Sequence, residues 1–135
     1  MFLKTDITSP RILVADDDPA VRRLLISIAE QEGYRVVAVE DGREAFRILQ
    51  SDADFSGAIL DMMMPKLDGL EVIRYMQTEK RLRRIPIMMI TGEPDLRFTA
   101  ASFAAGASVF LPKPFTVTQF QTTFKMLVRG RREAA

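Results

Sequence analysis

Short apolar runs alternate along the chain with stretches whose apolar residues recur at helical spacing. Arg11-Ile-Leu-Val-Ala15 is rich in strand formers and reads as a buried strand. Asp18-Pro19 follows, an N-cap residue with proline at the first helical position. Val21, Leu24, Leu25 and Ile28 then share a helix face, and Gly33 ends that helix. The span from Tyr34 to Val39 is a second strand. Asp41 and Glu44 have capping-box spacing before the stripe of Ala45, Phe46 and Leu49.

The same alternation continues to the end. Gly57 to Leu60 is a third strand that ends at Asp61. Asp68 and Glu71 cap the helix carrying Leu70, Ile73 and Met76. Ile85 to Thr91 is a fourth strand, and Glu93-Pro94 opens a helix that Gly106 closes. Ser108 to Leu111 is a fifth strand. Thr116 and Gln119 cap a last helix with Val117, Phe120, Phe124 and Leu127 on its apolar side. Five strand–helix repeats predict an α/β fold: a doubly wound (βα)5 sandwich around a five-stranded parallel sheet in the order 2-1-3-4-5. One domain is expected over 11–129, with an N-terminal extension over 1–10 and a polar C-terminal tail over 130–135.

Ligands in such sheets bind beyond the carboxyl ends of the strands. The polar residues that carry chemistry fall there. Asp16, Asp17 and Asp18 follow the first strand, Asp61 ends the third, Thr91 ends the fourth, and Lys113 follows the fifth. The predicted strand order makes those four strands neighbours.

Composition narrows the chemistry. The chain has 135 residues, enough for one domain, and its hydrophobic share of 47% supports a real core. With no cysteine and no histidine, disulfides, thiolate or imidazole metal sites and histidine base chemistry are excluded. A net charge of +1 argues against a broad nucleic-acid surface, so no direct nucleic-acid partner is expected. No apolar run is long enough to span a membrane and no secretory signal is visible, so a cytoplasmic protein is expected.

Several carboxylates a few ångströms apart repel unless something compensates them. A hard divalent cation does so. Mg²⁺ takes oxygen ligands and commonly binds through one or two carboxylates plus phosphate. Asp17 and Asp61 can supply those carboxylates, Lys113 a positive charge and Thr91 a hydroxyl. Such a set suits in-line phosphoryl transfer, with a carboxylate as covalent acceptor.

Four segments in order, ILVADDDP at 12–19, LDMMMPKLDG at 60–69, MITGE at 89–93 and FLPKPF at 110–115, resemble the receiver (CheY-like) domain of two-component response regulators. The resemblance implies a flavodoxin-like fold. It implies Asp61 as phosphoacceptor, Asp17 as a direct ligand of Mg²⁺ (or Mn²⁺), and Asp16 acting through metal-bound water. The backbone carbonyl of Met63 would also face the metal. Thr91 and Lys113 would contact the phosphoryl group, as would the backbone of Met62 and Gly92. Thr91 and Phe110 would form the switch, and Lys113-Pro114 is a candidate cis peptide. Two residues depart from the usual pattern. Gly92 stands where a small side chain such as Ala is common, and Phe110 lacks the hydroxyl a tyrosine would bring.

Other conspicuous residues have plainer readings. Asp18 and Asp68 read as helix caps, Glu93 as a loop-rim residue, Met64 as core, and Phe98, Phe103, Phe120 and Phe124 as mainly core, with one or two exposed on the last two helices, where a partner would dock. Arg81, Arg83 and Arg84 read as a solvated helix end, as do Arg129, Arg131 and Arg132. The leading functional expectation is a receiver in a two-component phosphorelay. It takes a phosphoryl group from the phosphohistidine of a sensor histidine kinase or histidine phosphotransfer protein. It then changes how the last two helices and fifth strand bind a downstream protein, and a phosphorylation-dependent homodimer is compatible with it. The alternative is the receiver part of a larger DNA-binding regulator or hybrid histidine kinase. An enzyme is not expected. Phosphatases of the haloacid-dehalogenase kind place a second Asp two residues after the nucleophile, and Met63 stands there.

Overall fold

The apolar runs pair as strands because each is too short for a helix and too apolar to face water on either side. The computed structural model describes residues 9–92 and 96–134. Strands β1 (Arg11–Ala15), β2 (Arg35–Val39), β3 (Gly57–Asp61), β4 (Ile87–Thr91) and β5 (Val109–Pro112) form one parallel sheet. Their order is β2-β1-β3-β4-β5, as the alternation predicts. Around it, among the described residues, lie six helices: α1 (Pro19–Gln31), α2 (Gly42–Ser51), α3 (Gly69–Thr78), α4 (Lys80–Arg83), α5 (Leu96–Ala105) and α6 (Val117–Ala134).

Successive strand residues point to opposite faces, so the sheet divides two cores. Ile12, Val14, Ile59, Met88 and Ile90 meet Leu25 and Ile28 of α1 and Phe120, Phe124 and Leu127 of α6. Leu13, Leu60, Ile87 and Met89 meet Ala45 and Leu49 of α2, Val72, Ile73 and Met76 of α3, and Leu82 of α4. All residues of β3 and β4 are buried, which fits their central place. Asp61 pairs with Ile90 and Thr91 with Pro112, so the carboxyl ends of β3, β4 and β5 lie side by side.

The expected caps form. Asp18 Oδ1 accepts from the N–H of Ala20 at 2.9 Å, and Asp41 Oδ1 from that of Glu44 at 2.9 Å. Asp68 and Glu71 bond reciprocally, as do Thr116 and Gln119. Gly33 and Gly106 follow their helices at φ 91° and 126°, a region that favours glycine.

Two expectations change. Residues 80–83 form their own turn of helix, and Arg81 and Arg84 donate to the carbonyls of Gln50 and Ala53 at 2.9 and 3.5 Å. These arginines therefore tie α4 to the α2–β3 connection. The last helix runs to Ala134 rather than ending at residue 129, because Arg, Glu and Ala favour helix and the single Gly130 costs only about 1 kcal/mol relative to alanine. Of the four phenylalanines read as mainly core, Phe120 and Phe124 are fully buried, and the two at the surface are Phe98 and Phe103 on α5, within the expected one or two. Glu93, the Glu93-Pro94 helix start and residues 1–8 lie outside the described residues.

Candidate functional site

Four strands bring polar residues to one cleft: Asp61 and Thr91 end β3 and β4, and Asp16 and Lys113 directly follow β1 and β5. Asp16 follows β1 and is 1% exposed. Its Oδ1 accepts from the N–H of Asp18 at 2.9 Å, and its carbonyl accepts from Arg22 Nη1 at 2.7 Å. These bonds fix the β1–α1 turn. Its Oδ2 is buried with no aligned hydrogen-bond donor, although Lys113 Nζ lies 3.2 Å away. Asp17, next in the chain, is exposed at the cleft mouth.

Asp61 is 3% exposed at the end of β3. Its Oδ2 accepts from Lys113 Nζ at 3.0 Å and its Oδ1 from the N–H of Met63 at 3.1 Å. Burial pushes the Asp61 carboxyl up to about 6, and the charge of Asp16 adds to that, against the pull of Lys113. Burial alone would weaken the charge on Lys113, yet the Asp61 and Asp16 carboxylates hold its ammonium above the ordinary lysine value. The lysine is thus a counter-ion shared by two acids.

The arrangement fits a hard cation. One carboxylate oxygen from each of Asp16, Asp17 and Asp61 lies within 4.8 Å of the others. The donors are all oxygen, and the buried Oδ2 of Asp16 has only the Lys113 ammonium near it, 3.2 Å away and not aligned as a hydrogen-bond donor. Lys113 neutralises only part of this charge.

Thr91 is fully buried at the end of β4, and its carbonyl accepts from the N–H of Lys113 at 2.7 Å. That bond ties the β5 end to the β4 end. The Lys113-Pro114 peptide is cis. Phe110, paired with Met89 on β5, is half-buried against the core beneath α2 and α3, with its ring 6.4 Å from that of Phe103. Gly92 has room for a methyl group, since a Cβ there would come no closer than 4.0 Å to Lys113. Nothing steric forces glycine at this position.

One expected contributor is placed differently. The N–H of Met62 donates to the Ile90 carbonyl at 2.8 Å, prolonging the β3–β4 ladder, so it is engaged away from the cleft. The backbone donor at the Asp61 carboxylate is Met63, whose side chain is 57% exposed. Sequence reasoning also missed Gly69. A Cβ there would lie 2.5 Å from the Asp61 carbonyl, and its N–H donates to Met62 at 3.1 Å. Its place beside a helix cap signalled a turn, not this close approach to the end of β3.

Fold and cleft together define a class: a doubly wound α/β domain with an acidic, oxygen-donor cleft where the strand order reverses between β1 and β3. Residues 12–125 match the response regulator receiver domain, and the chain belongs to that family. It is 40% identical over 119 residues to the response regulator MprA of Mycolicibacterium vanbaalenii, covering 88% of this chain and 50% of that protein. The chain thus spans about half the length of the curated relatives it matches.

Among solved structures it resembles the signal receiver domain of a histidine kinase from Syntrophus aciditrophicus. The TM-score there is 0.80 at 32% identity, over 90% of this chain and 92% of that one. It also resembles the receiver domain of a sensor histidine kinase from Pseudomonas aeruginosa, whose active-site cleft coordinates a magnesium ion. That likeness has a TM-score of 0.80 at 25% identity, over 90% of this chain and 99% of the other. Among the described residues no helix is long and apolar enough to cross a membrane.

Proposed function

We propose that Asp61 is the phosphoacceptor of a cytoplasmic two-component phosphorelay. The observation that carries this reading is the Asp61 carboxylate held 3.0 Å from Lys113 Nζ beside the acids of the β1 end. In the step proposed, an Asp61 oxygen attacks the phosphorus of a phosphohistidine on a partner kinase or phosphotransfer protein. The O–P bond forms as the N–P bond breaks, and the departing imidazole nitrogen takes a proton. With its carboxyl near 6, Asp61 is mostly ionised at neutral pH and able to attack.

Mg²⁺, or Mn²⁺, would be held by Asp17 and Asp61 with the Met63 carbonyl, and by Asp16 through water. When bound it supplies charge neutralisation for the transferred group. Lys113, bonded to Asp61 Oδ2 at 3.0 Å, would contact a phosphoryl oxygen added to that carboxylate. The backbone N–H of Met63 and Gly92 and the Thr91 hydroxyl complete the proposed cradle. An apolar recess of about 500 Å³, lined by Val21, Leu24, Gly92, Lys113, Pro114 and Phe115, offers the donor an approach beside Lys113.

The domain is an acceptor rather than a turnover enzyme, since the residue two past Asp61 is a methionine with no proton to give. The output we propose is a change at α5, β5 and α6. Thr91 and Phe110 are its coupled elements, and Phe98, Phe103, Val117 and Met126 are exposed on the two helices for a downstream protein or a second copy.

Treatment with a small phosphodonor and Mg²⁺, followed by intact mass, tests the assignment. One phosphoryl group should appear, and it should be lost in Asp61→Asn and without the metal. Undiminished labelling of Asp61→Asn would sink the reading.

A further inference from the structure

We propose that the β2–α2 junction, Asp41 with Gly42, is a buttress that positions the loop of residues 62–68 and thereby sets divalent-cation affinity. The second half rests on the reading that this loop lends the Met63 carbonyl to the metal.

Gly42 opens α2 and is buried. A Cβ built there would lie 1.7 Å from the Leu67 carbonyl oxygen and 2.6 Å from its carbon. Those atoms are backbone, so no side-chain rotation can relieve the overlap. The requirement for glycine is steric, and it is set by an element far from the cleft in sequence.

The loop it meets is held in an unusual shape. Lys66 has φ 72°, the one positive-φ residue other than glycine among those described. The N–H of Leu67 donates to the Pro65 carbonyl at 2.8 Å, a three-residue turn of the uncommon, strained hand. A side chain in that region persists only when its surroundings fix it. Two contacts do so. Gly42 admits the Leu67 carbonyl, and Asp41 Oδ2 lies 3.6 Å from Lys66 Nζ. Asp41 is itself buried, 5% exposed, and bonded to the α2 N-terminus through the Glu44 N–H. Behind it, α2 is anchored by the fully buried Ala45 and Leu49.

The other end of the loop is pinned by Gly69 against the Asp61 carbonyl. From the Asp61 carbonyl, where Gly69 packs, to the Lys66–Leu67 turn run Met62, Met63, Met64 and Pro65. Any shift of the Lys66–Leu67 turn is passed to the Met63 backbone, which bonds Asp61 Oδ1 at 3.1 Å. Asp41 and Gly42 are therefore positioning residues, acting on the cleft through the loop.

The test compares wild type with Gly42→Ala, Lys66→Pro and the double variant, all as the full chain. Gly42→Ala forces the turn from the helix side. Lys66→Pro forbids φ 72° from the loop side at an exposed residue and removes the ammonium beside Asp41, leaving the residues of α2 unchanged. Amide hydrogen exchange of Leu67 and Gly69 is measured in metal-free protein, and Mg²⁺ affinity by titration calorimetry.

Each single variant should exchange faster at both amides and bind Mg²⁺ roughly ten-fold more weakly, as loss of a ligand-orienting contact usually does. The double variant should be little worse than the poorer single, because both break one contact. Wild-type exchange and affinity in a folded Gly42→Ala overturn the proposal, as do additive losses. If Gly42→Ala does not fold, Lys66→Pro with wild-type values overturns it instead. Absence of Mg²⁺ binding by wild type would refute the proposed metal site, and the exchange arm would then decide the buttress by itself.

Discussion

Replacing Asp61 with asparagine should stabilise the metal-free protein, although it abolishes the proposed acceptor. The carboxyl titrates near 3.8 in an open chain and at about 6 in the fold. Below 3.8 both states hold the proton and nothing is lost. As pH rises through the window from 3.8 to about 6, the unfolded chain gives up its proton first, so stability falls. Above that window the penalty is complete.

A shift of about two units corresponds to about 3 kcal/mol. Solvent at the cleft mouth screens the charge, which reduces the expected gain for Asp61→Asn to about 1–2 kcal/mol at neutral pH. Urea unfolding of both proteins, at neutral pH and near 3.8, measures it. The advantage of the variant should shrink at the acidic end. Saturating Mg²⁺ should then reverse the order at neutral pH, because it binds and stabilises the folded wild type more than a site missing a carboxylate. A variant that is less stable than wild type without metal, or a difference indifferent to pH, refutes the reasoning.

Lys113→Met leaves two acids facing each other, and we expect metal-free stability to fall by about 1–3 kcal/mol, partly recovered by Mg²⁺, in urea midpoints. Phe124→Ala removes a fully buried ring stacked 5.7 Å from Phe120 and edge-on to Tyr34 at 5.2 Å, and should cost about 3–5 kcal/mol by the same assay. Gly69→Ala, with its Cβ against the Asp61 carbonyl, should cost about 1–3 kcal/mol and shift the Asp61 amide resonance.

The strands and caps were legible because each rests on local chemistry. Asp18-Pro19, Asp68 with Glu71 and Thr116 with Gln119 announce helix starts whatever lies elsewhere. The cleft followed from one non-local assumption, the strand order, which the alternation of elements supplies. What escaped depends on close approach. Helix α4 shows one buried residue, Leu82, and no side-chain cap, so no periodic stripe marks it. The engagement of the Met62 N–H depends on how far the β3–β4 ladder extends, which residue types do not encode. Gly42 and Gly69 look like ordinary helix-start glycines until the backbone each must admit is in place.

The bond between Lys113 and Asp61 joins residues 52 apart, and Lys113 follows the edge strand, the last to be made. During synthesis the acids of β1 and β3 emerge well before their cation does. A nascent chain lacking β5 carries these carboxylates without the Lys113 ammonium that pairs with both in the folded domain. The acids of the cleft thus gain their lysine counter-ion only once the edge strand, the last along the chain, has joined the sheet.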